Sequence, residues 1–250
     1  MRLRQRVFQS LAAWRRRLLG IPHPGSVNFG DLRRVHPIGR DFGIDRPLPG
    51  ELRGLPVDRH YIEGFLERHG GDIRGRVLEI GDDGYTRRYG GDRVTHRDIL
   101  NITADNPQAT IVADLADAPQ IGDALFDCVI LTQTLHLIYD APSAVRTLHR
   151  ILKPGGVLLM TVPGISFVPT RSVWGHTWYW AFTALAVRRM VGEAFGAERT
   201  LVESLGNTLS VVAFLHGLAV RELTPHELDA GDTDYPLIVA ARARKAGAGR

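Results

Sequence analysis

One stretch constrains this chain more than any other: RVLEIGDDGYTRRYG, from Arg76 to Gly90. Val77 to Ile80 reads as a buried strand that runs straight into a turn holding Gly81, Asp82, Asp83 and Gly84. Glu79 stands just before the carboxyl end of that strand, and Asp98 follows nineteen residues later. Strand, glycine turn, helix, strand and acidic residue is the order of parts that holds a nucleoside at the edge of a parallel sheet.

The 250 residues suffice for one large domain with trimmings, and a hydrophobic content of 44% fills a sizeable core. No run of about 18 apolar residues is present, so no membrane-spanning helix is expected. The single cysteine, Cys128, lies in an apolar run and reads as packing, which fits a reducing, cytoplasmic setting. The formal charge of +4 is misleading. Six arginines fall in residues 1–20, and three arginines with one lysine fall in residues 241–250, neither segment holding an acid. Removing those ten charges leaves −6 for the body of the chain. Such a body offers no basic face for nucleic acid, so no nucleic-acid partner is expected.

Leu3, Val7, Leu11, Trp14 and Leu18 recur at helical spacing, with arginines around the rest of the helix. Residues 1–20 therefore read as a basic amphipathic arm. It would serve either for attachment to an anionic membrane surface or partner, or as a frayed or packed extension. Arg15, Arg16 and Arg17 interrupt any apolar core of a secretory signal. Residues 21–56 carry six prolines between apolar anchors such as Phe29, Phe42 and Leu52, which predicts an irregular but ordered cover segment. Residues 57–245 form the main domain, and 246–250 a tail.

Within that domain a helix is expected from an Asp58 cap to Gly70, then strands at Arg76–Ile80, Arg93–His96 (ending near Asp98), Ala109–Val112, Phe126–Thr132 and Val157–Val162. A helix over Ser143–Leu152 separates the last two and is broken by Lys153-Pro154-Gly155-Gly156. A helix at Arg188–Phe195 and strands at Leu201–Glu203 and Tyr235–Ala243 complete the pattern. Short alternation of strand and helix implies an α/β, doubly wound, mostly parallel sheet.

The ordered segments RVLEIGDDGYTRRYG, ATIVADL, FDCVILTQTLHLIYD and LHRILKPGGVLLMTVPG together resemble the class I S-adenosylmethionine-dependent methyltransferases of type 11. With LPVDRHYIEGFL before and WGHTWYWAFT after, the chain is similar to bacterial members associated with glycosyltransferases and polysaccharide biosynthesis. The resemblance implies a seven-stranded Rossmann-like sheet with one antiparallel edge strand, and S-adenosylmethionine bound across the carboxyl ends of strands one to four. It also implies methyl transfer to a small or glycan-related acceptor, with an oxygen as the first choice. One departure is evident: Asp83 and Tyr85 stand where the second and third glycines of the family's turn would sit.

On this reading Glu79, Gly81 and Asp82 face the amino acid end of the cofactor; otherwise Glu79 is a strand-end carboxylate that caps the next helix. Asp98 would accept from the ribose hydroxyls, each such bond being worth about 1.5–3 kcal/mol. Asp114 would meet the adenine amino group with Leu115 as an apolar wall; otherwise Asp114 closes an Asx turn. Gln133 and Thr134 line the cofactor. His136 is the candidate base, with His176 in the aromatic run Trp174–Phe182 as a second. Tyr61 and Arg59 could close over the cofactor from the early helix. No metal-ligand spacing and no GxSxG elbow is present. Two other readings stay open: a nicotinamide-dependent oxidoreductase on the same sheet, and a catalytically silent methyltransferase fold acting as a binding or scaffold protein.

Overall fold

A computed structural model describes residues 35–38, 55–170 and 173–247. The chain divides into two units, Met1–Pro37 and Ile38–Arg250, and the elements below all belong to the second. The arm at 1–20, nearly all of the 21–56 segment and the last three residues lie outside the described residues.

Seven strands form one sheet: β1 (Gly75–Ile80), β2 (Val94–Asn101), β3 (Ile111–Val112), β4 (Phe126–Thr132), β5 (Leu152–Pro163), β6 (Thr200–Leu205) and β7 (Ile238–Arg244). Their order is β3-β2-β1-β4-β5-β7-β6. The first five pair in parallel, and β7 runs antiparallel to both β5 and the edge strand β6. Strand order reverses between β1 and β4, so the carboxyl ends of β1, β2, β4 and β5 open a crevice there.

Period-two alternation assigns the two faces. Leu78, Leu100, Val129, Leu131 and Leu158 pack into one core with helices α2 (Ala141–Ile151) and α3 (Ala184–Phe195) through Val145, Leu148, Val191 and Phe195. Val77, Cys128, Ile130 and Leu159 pack on the other face against α1 (Val57–Arg68) and α4 (Thr208–Leu215) through Ile62, Phe65, Leu66 and Phe214. Fully buried side chains such as Phe65 and Leu148 each stabilise by about 1.5–3 kcal/mol. Cys128 is packing, as its position in an apolar run suggested.

Several elements differ from the sequence expectation. α1 starts on Pro56, not on an Asp58 cap, and Asp58 falls inside its first turn. α4 had no counterpart in the sequence reading; Asn207 and Ser210 cap it reciprocally. The consequential difference is β2. It runs three residues beyond Asp98, because Ile99 and Leu100 are buried against Glu79 and Ile80 of β1. Asp98 is thereby placed inside the sheet, opposite Leu78.

There it is only 4% exposed, and it accepts from Arg76 Nε (2.7 Å) and Nη2 (3.2 Å) and from Thr110 Oγ1 (3.2 Å). The Arg76 guanidinium also lies over the Phe126 ring, 5.4 Å from its centroid. Asp98 is the buried partner and the Arg76 side chain is one-third exposed, so loss of the carboxylate leaves a charge that water solvates only in part. Asp98→Asn is expected to lower stability by about 2–4 kcal/mol in equilibrium denaturant unfolding. A change below about 0.5 kcal/mol would show the pair to be an idle surface contact.

Candidate functional site

The turn after β1 is built by side chains more than by glycines. Gly81 adopts a left-handed backbone (φ +86°), and a Cβ there would project into open space. Asp82 Oδ1 accepts from Gly84 N at 2.7 Å, closing an Asx turn. Glu79, 3% exposed, then takes the backbone amides of Tyr85 (3.1 Å) and Thr86 (2.7 Å), so it does cap the helical turn that follows. Asp83 has no positive φ, and its carboxylate points to Arg87 Nε (2.7 Å) and Arg97 Nε (3.3 Å). Its side chain stays off the cavity wall, so the missing second glycine leaves the turn open.

A cavity of about 970 Å³ lies beside this turn, over the carboxyl ends of the parallel strands. That is at the upper end of volumes that hold a cofactor-sized ligand. Glu79, Gly81, Asp82, Asp114, Leu115, Gln133, Thr134 and His136 all line it, as expected. Asp114 also closes an Asx turn, accepting from Ala116 N at 2.9 Å, while lining the cavity. Thr134 Oγ1 donates to Thr132 O at 2.9 Å. Gln133 is a non-glycine in the left-handed region (φ +46°), fixed by donation from its backbone N to Thr161 O at 2.8 Å.

Three expected residues are not brought to the cavity. Asp98 is spent on Arg76 inside the sheet, and Asn101 stands at the strand end in its place. Tyr61 turns into the core and donates to Leu228 O at 2.8 Å. His176 is exposed on a short helical turn, and the cavity wall is reached from that loop by Thr177 and Trp178. Residues that the sequence reading does not assign to the site also line the wall: Asp58, expected only as a helix cap, and Asn101, Phe167 and Phe214. Asn101 carried a signal, since it ends the apolar run Ile99–Leu100 at the length of a strand.

The cavity has two characters. Toward β1, β2 and β3 it is polar, with Glu79, Asp82, Asn101 and Asp114. Toward β5 and β7 it is apolar, with Pro163, Phe167, Trp178, Phe214, Leu237 and Ile238. His136 lies between, 2% exposed, its ring 4.2 Å from that of Trp178. Its Nδ1 has no hydrogen-bond partner, and burial pushes the imidazole down to about 4, so it is neutral near pH 7. Among the described residues no group of three His, Cys, Asp or Glu side chains could hold a metal ion, and no helix is long and apolar enough to cross a membrane.

Comparison with known proteins agrees with this geometry. Residues 85–160 match the methyltransferase domain family. A segment of 116 residues is 30% identical to the mitochondrial arginine-hydroxylase NDUFAF5 of Danio rerio, covering 45% of this chain and 33% of that protein. Another of 81 residues is 31% identical to the probable polyketide synthase 5 of Dictyostelium discoideum, covering 32% of this chain and 3% of that protein. The chain thus spans a third or less of the length of these curated relatives. Among solved structures, a SAM-dependent methyltransferase from Archaeoglobus fulgidus superposes with a TM-score of 0.51 at 13% identity, covering 75% of this chain and 94% of that one. Phosphoethanolamine N-methyltransferase 2 of Haemonchus contortus, in complex with S-adenosyl-L-methionine, gives 0.52 at 15% identity, covering 75% and 52%. The fold is that of the Rossmann-like methyltransferases, and the family match supports a class I S-adenosylmethionine-dependent methyltransferase domain.

Burial of Glu79 raises its carboxyl to about 7, against the lowering effect of the two backbone amides. A carboxyl raised on folding binds more protons in the native state than in the unfolded chain. Its stabilising contribution is therefore complete below about 4.5 and is lost as pH rises to about 7. Between pH 5 and 8 the wild-type chain is expected to lose about 2–3 kcal/mol relative to Glu79→Gln in denaturant unfolding. Parallel pH profiles for the two proteins would contradict the raised carboxyl.

Proposed function

We propose that this domain binds S-adenosylmethionine across the carboxyl ends of β1 to β4 and directs its methyl group to a small acceptor, an oxygen on a glycan-related molecule being the first choice. The observation that carries the reading is the two-sided cavity at the strand-order reversal: polar beside the Gly81 turn, apolar and aromatic beside Trp178 and Phe214. The orphaned carboxylate oxygen of Asp58, the open space above Gly81 and the acceptors at Asn101 and Asp114 fit a ligand with a charged tail, a ribose and an adenine. When bound, the cofactor supplies an electrophilic methyl on a sulfonium.

The chain's own contribution is placement. Asn101 Nδ2 is committed to Thr103 O (2.9 Å) and Asp105 Oδ1 (3.1 Å), which leaves Oδ1 as the acceptor for the sugar hydroxyls. Asp114 and Leu115 take the adenine. Gln133 and Thr134, pinned to Thr161 and Thr132, form the floor on which the two reactants meet. Neutral His136 receives a hydrogen bond from the acceptor hydroxyl, and its low basicity makes it an orienting group more than a strong base. The apolar half excludes water from the approach. The glycan preference, and a link to polysaccharide assembly, rest on the sequence resemblance. A cytoplasmic setting and contact of residues 1–20 with an anionic surface belong to the same proposal and rest on the lone cysteine and the arginine-ringed apolar face. The family match favours methyl transfer over a nicotinamide oxidoreductase or a silent scaffold.

S-adenosylhomocysteine should raise the melting temperature in a concentration-dependent way, and NAD should not. Asn101→Ala should weaken the former's binding about tenfold by calorimetry, the worth of one to two neutral hydrogen bonds, whereas Asp98→Asn leaves it within about twofold. Stabilisation by NAD alone would contradict the reading.

A further inference from the structure

The expected anchors for the amino acid end of the cofactor are already engaged. Both carboxylate oxygens of Glu79 accept from the turn it caps, Gly81 O accepts from Asn106 Nδ2 at 2.6 Å, and Asp82 Oδ1 accepts from Gly84 N. Beside this turn, the first turn of α1 presents Asp58 and Arg59 to the cavity, adjacent and of opposite charge. Asp58 is 8% exposed, and its Oδ1 is buried with no hydrogen-bond partner. A carboxylate oxygen in that state is costly unless a donor arrives. Arg59 Nη1 donates to Tyr85 Oη at 3.1 Å, which ties the guanidinium to the turn after β1 and holds it on the same wall.

We infer that Asp58 and Arg59 form the clamp for the zwitterionic α-amino acid end of the cofactor, Asp58 Oδ1 accepting from its ammonium and the Arg59 guanidinium donating to its carboxylate. The inference rests on the cofactor reading above and moves the recognition of the tail from the end of β1 to the start of α1. An ammonium supplies the donor that Asp58 lacks, and a guanidinium matches a carboxylate in shape and charge. Glu79 is left with a structural task, to shape the turn.

The test compares S-adenosylhomocysteine with 5′-methylthioadenosine, which keeps the nucleoside and the sulfur but has no amino acid, by calorimetry on the full chain. Wild type should bind the former at least about tenfold more tightly. Asp58→Asn, nearly isosteric, and Arg59→Gln should each reduce that preference by roughly tenfold while leaving 5′-methylthioadenosine within about twofold. S-adenosylthiopropylamine, which keeps the amine and lacks the carboxylate, separates the two roles: Arg59→Gln should leave its binding within about twofold, and Asp58→Asn should still weaken it by roughly tenfold. Should both variants keep the full wild-type preference, the clamp is overturned while the cofactor reading stands. If wild type binds the two adenosines equally, the clamp is again overturned alone. If wild type binds neither, both readings fall.

Discussion

The arrangement of this site depends on one buried carboxylate. Glu79 reaches past the end of β1 and takes the amides of Tyr85 and Thr86, fixing where the chain turns and where the next helical segment begins. Everything near the cavity follows from that pin. Gly81 is held left-handed and open, Asp83 is turned outward to Arg87 and Arg97, and the Tyr85 hydroxyl is set where Arg59 can donate to it. The pin has a thermodynamic cost, since a desolvated carboxyl is harder to ionise. Its two hydrogen bonds shape the turn that lines the cavity.

A similar division between structural and binding roles runs through the sheet. Acidic residues near the ends of elements look alike in sequence, yet Asp98 holds Arg76 against Phe126, Asp114 closes a turn while facing the cavity, and Asp58, in the first turn of α1, keeps an oxygen unsatisfied. Burial and partner separate them. A carboxylate already saturated by guanidinium and hydroxyl donors has little to offer a sugar, whereas a buried oxygen without a donor can still take one.

Much of the fold was legible in the sequence, and the reasons are local. Phe126–Thr132 is apolar on both faces and falls within its predicted bounds, and the Glu79-Ile80-Gly81 break places the first strand end. What escaped was set by partners distant in the chain. β2 extends past Asp98 because Ile99 and Leu100 find β1 neighbours, and that three-residue extension transfers the strand-end position from Asp98 to Asn101. Trp178 in place of His176 faces the cavity because a loop's orientation is fixed by hydrogen bonds, here donation from Tyr179 N to His136 O at 3.0 Å, that no periodicity reveals. α4 is not legible from periodicity although Asn207 and Ser210 spell its cap, because an eight-residue helix without a polar face carries no amphipathic signal.

The central claim is that a nucleoside lies over the strand ends with its sugar at Asn101. A crystal structure of the protein soaked with S-adenosylhomocysteine tests it most directly. The account predicts the ribose hydroxyls within hydrogen-bond distance of Asn101 Oδ1, the adenine against Leu115, and the Arg76–Asp98 pair unbroken. A ribose held by Asp98 with Arg76 displaced, or a cleft that excludes the nucleoside, would contradict it.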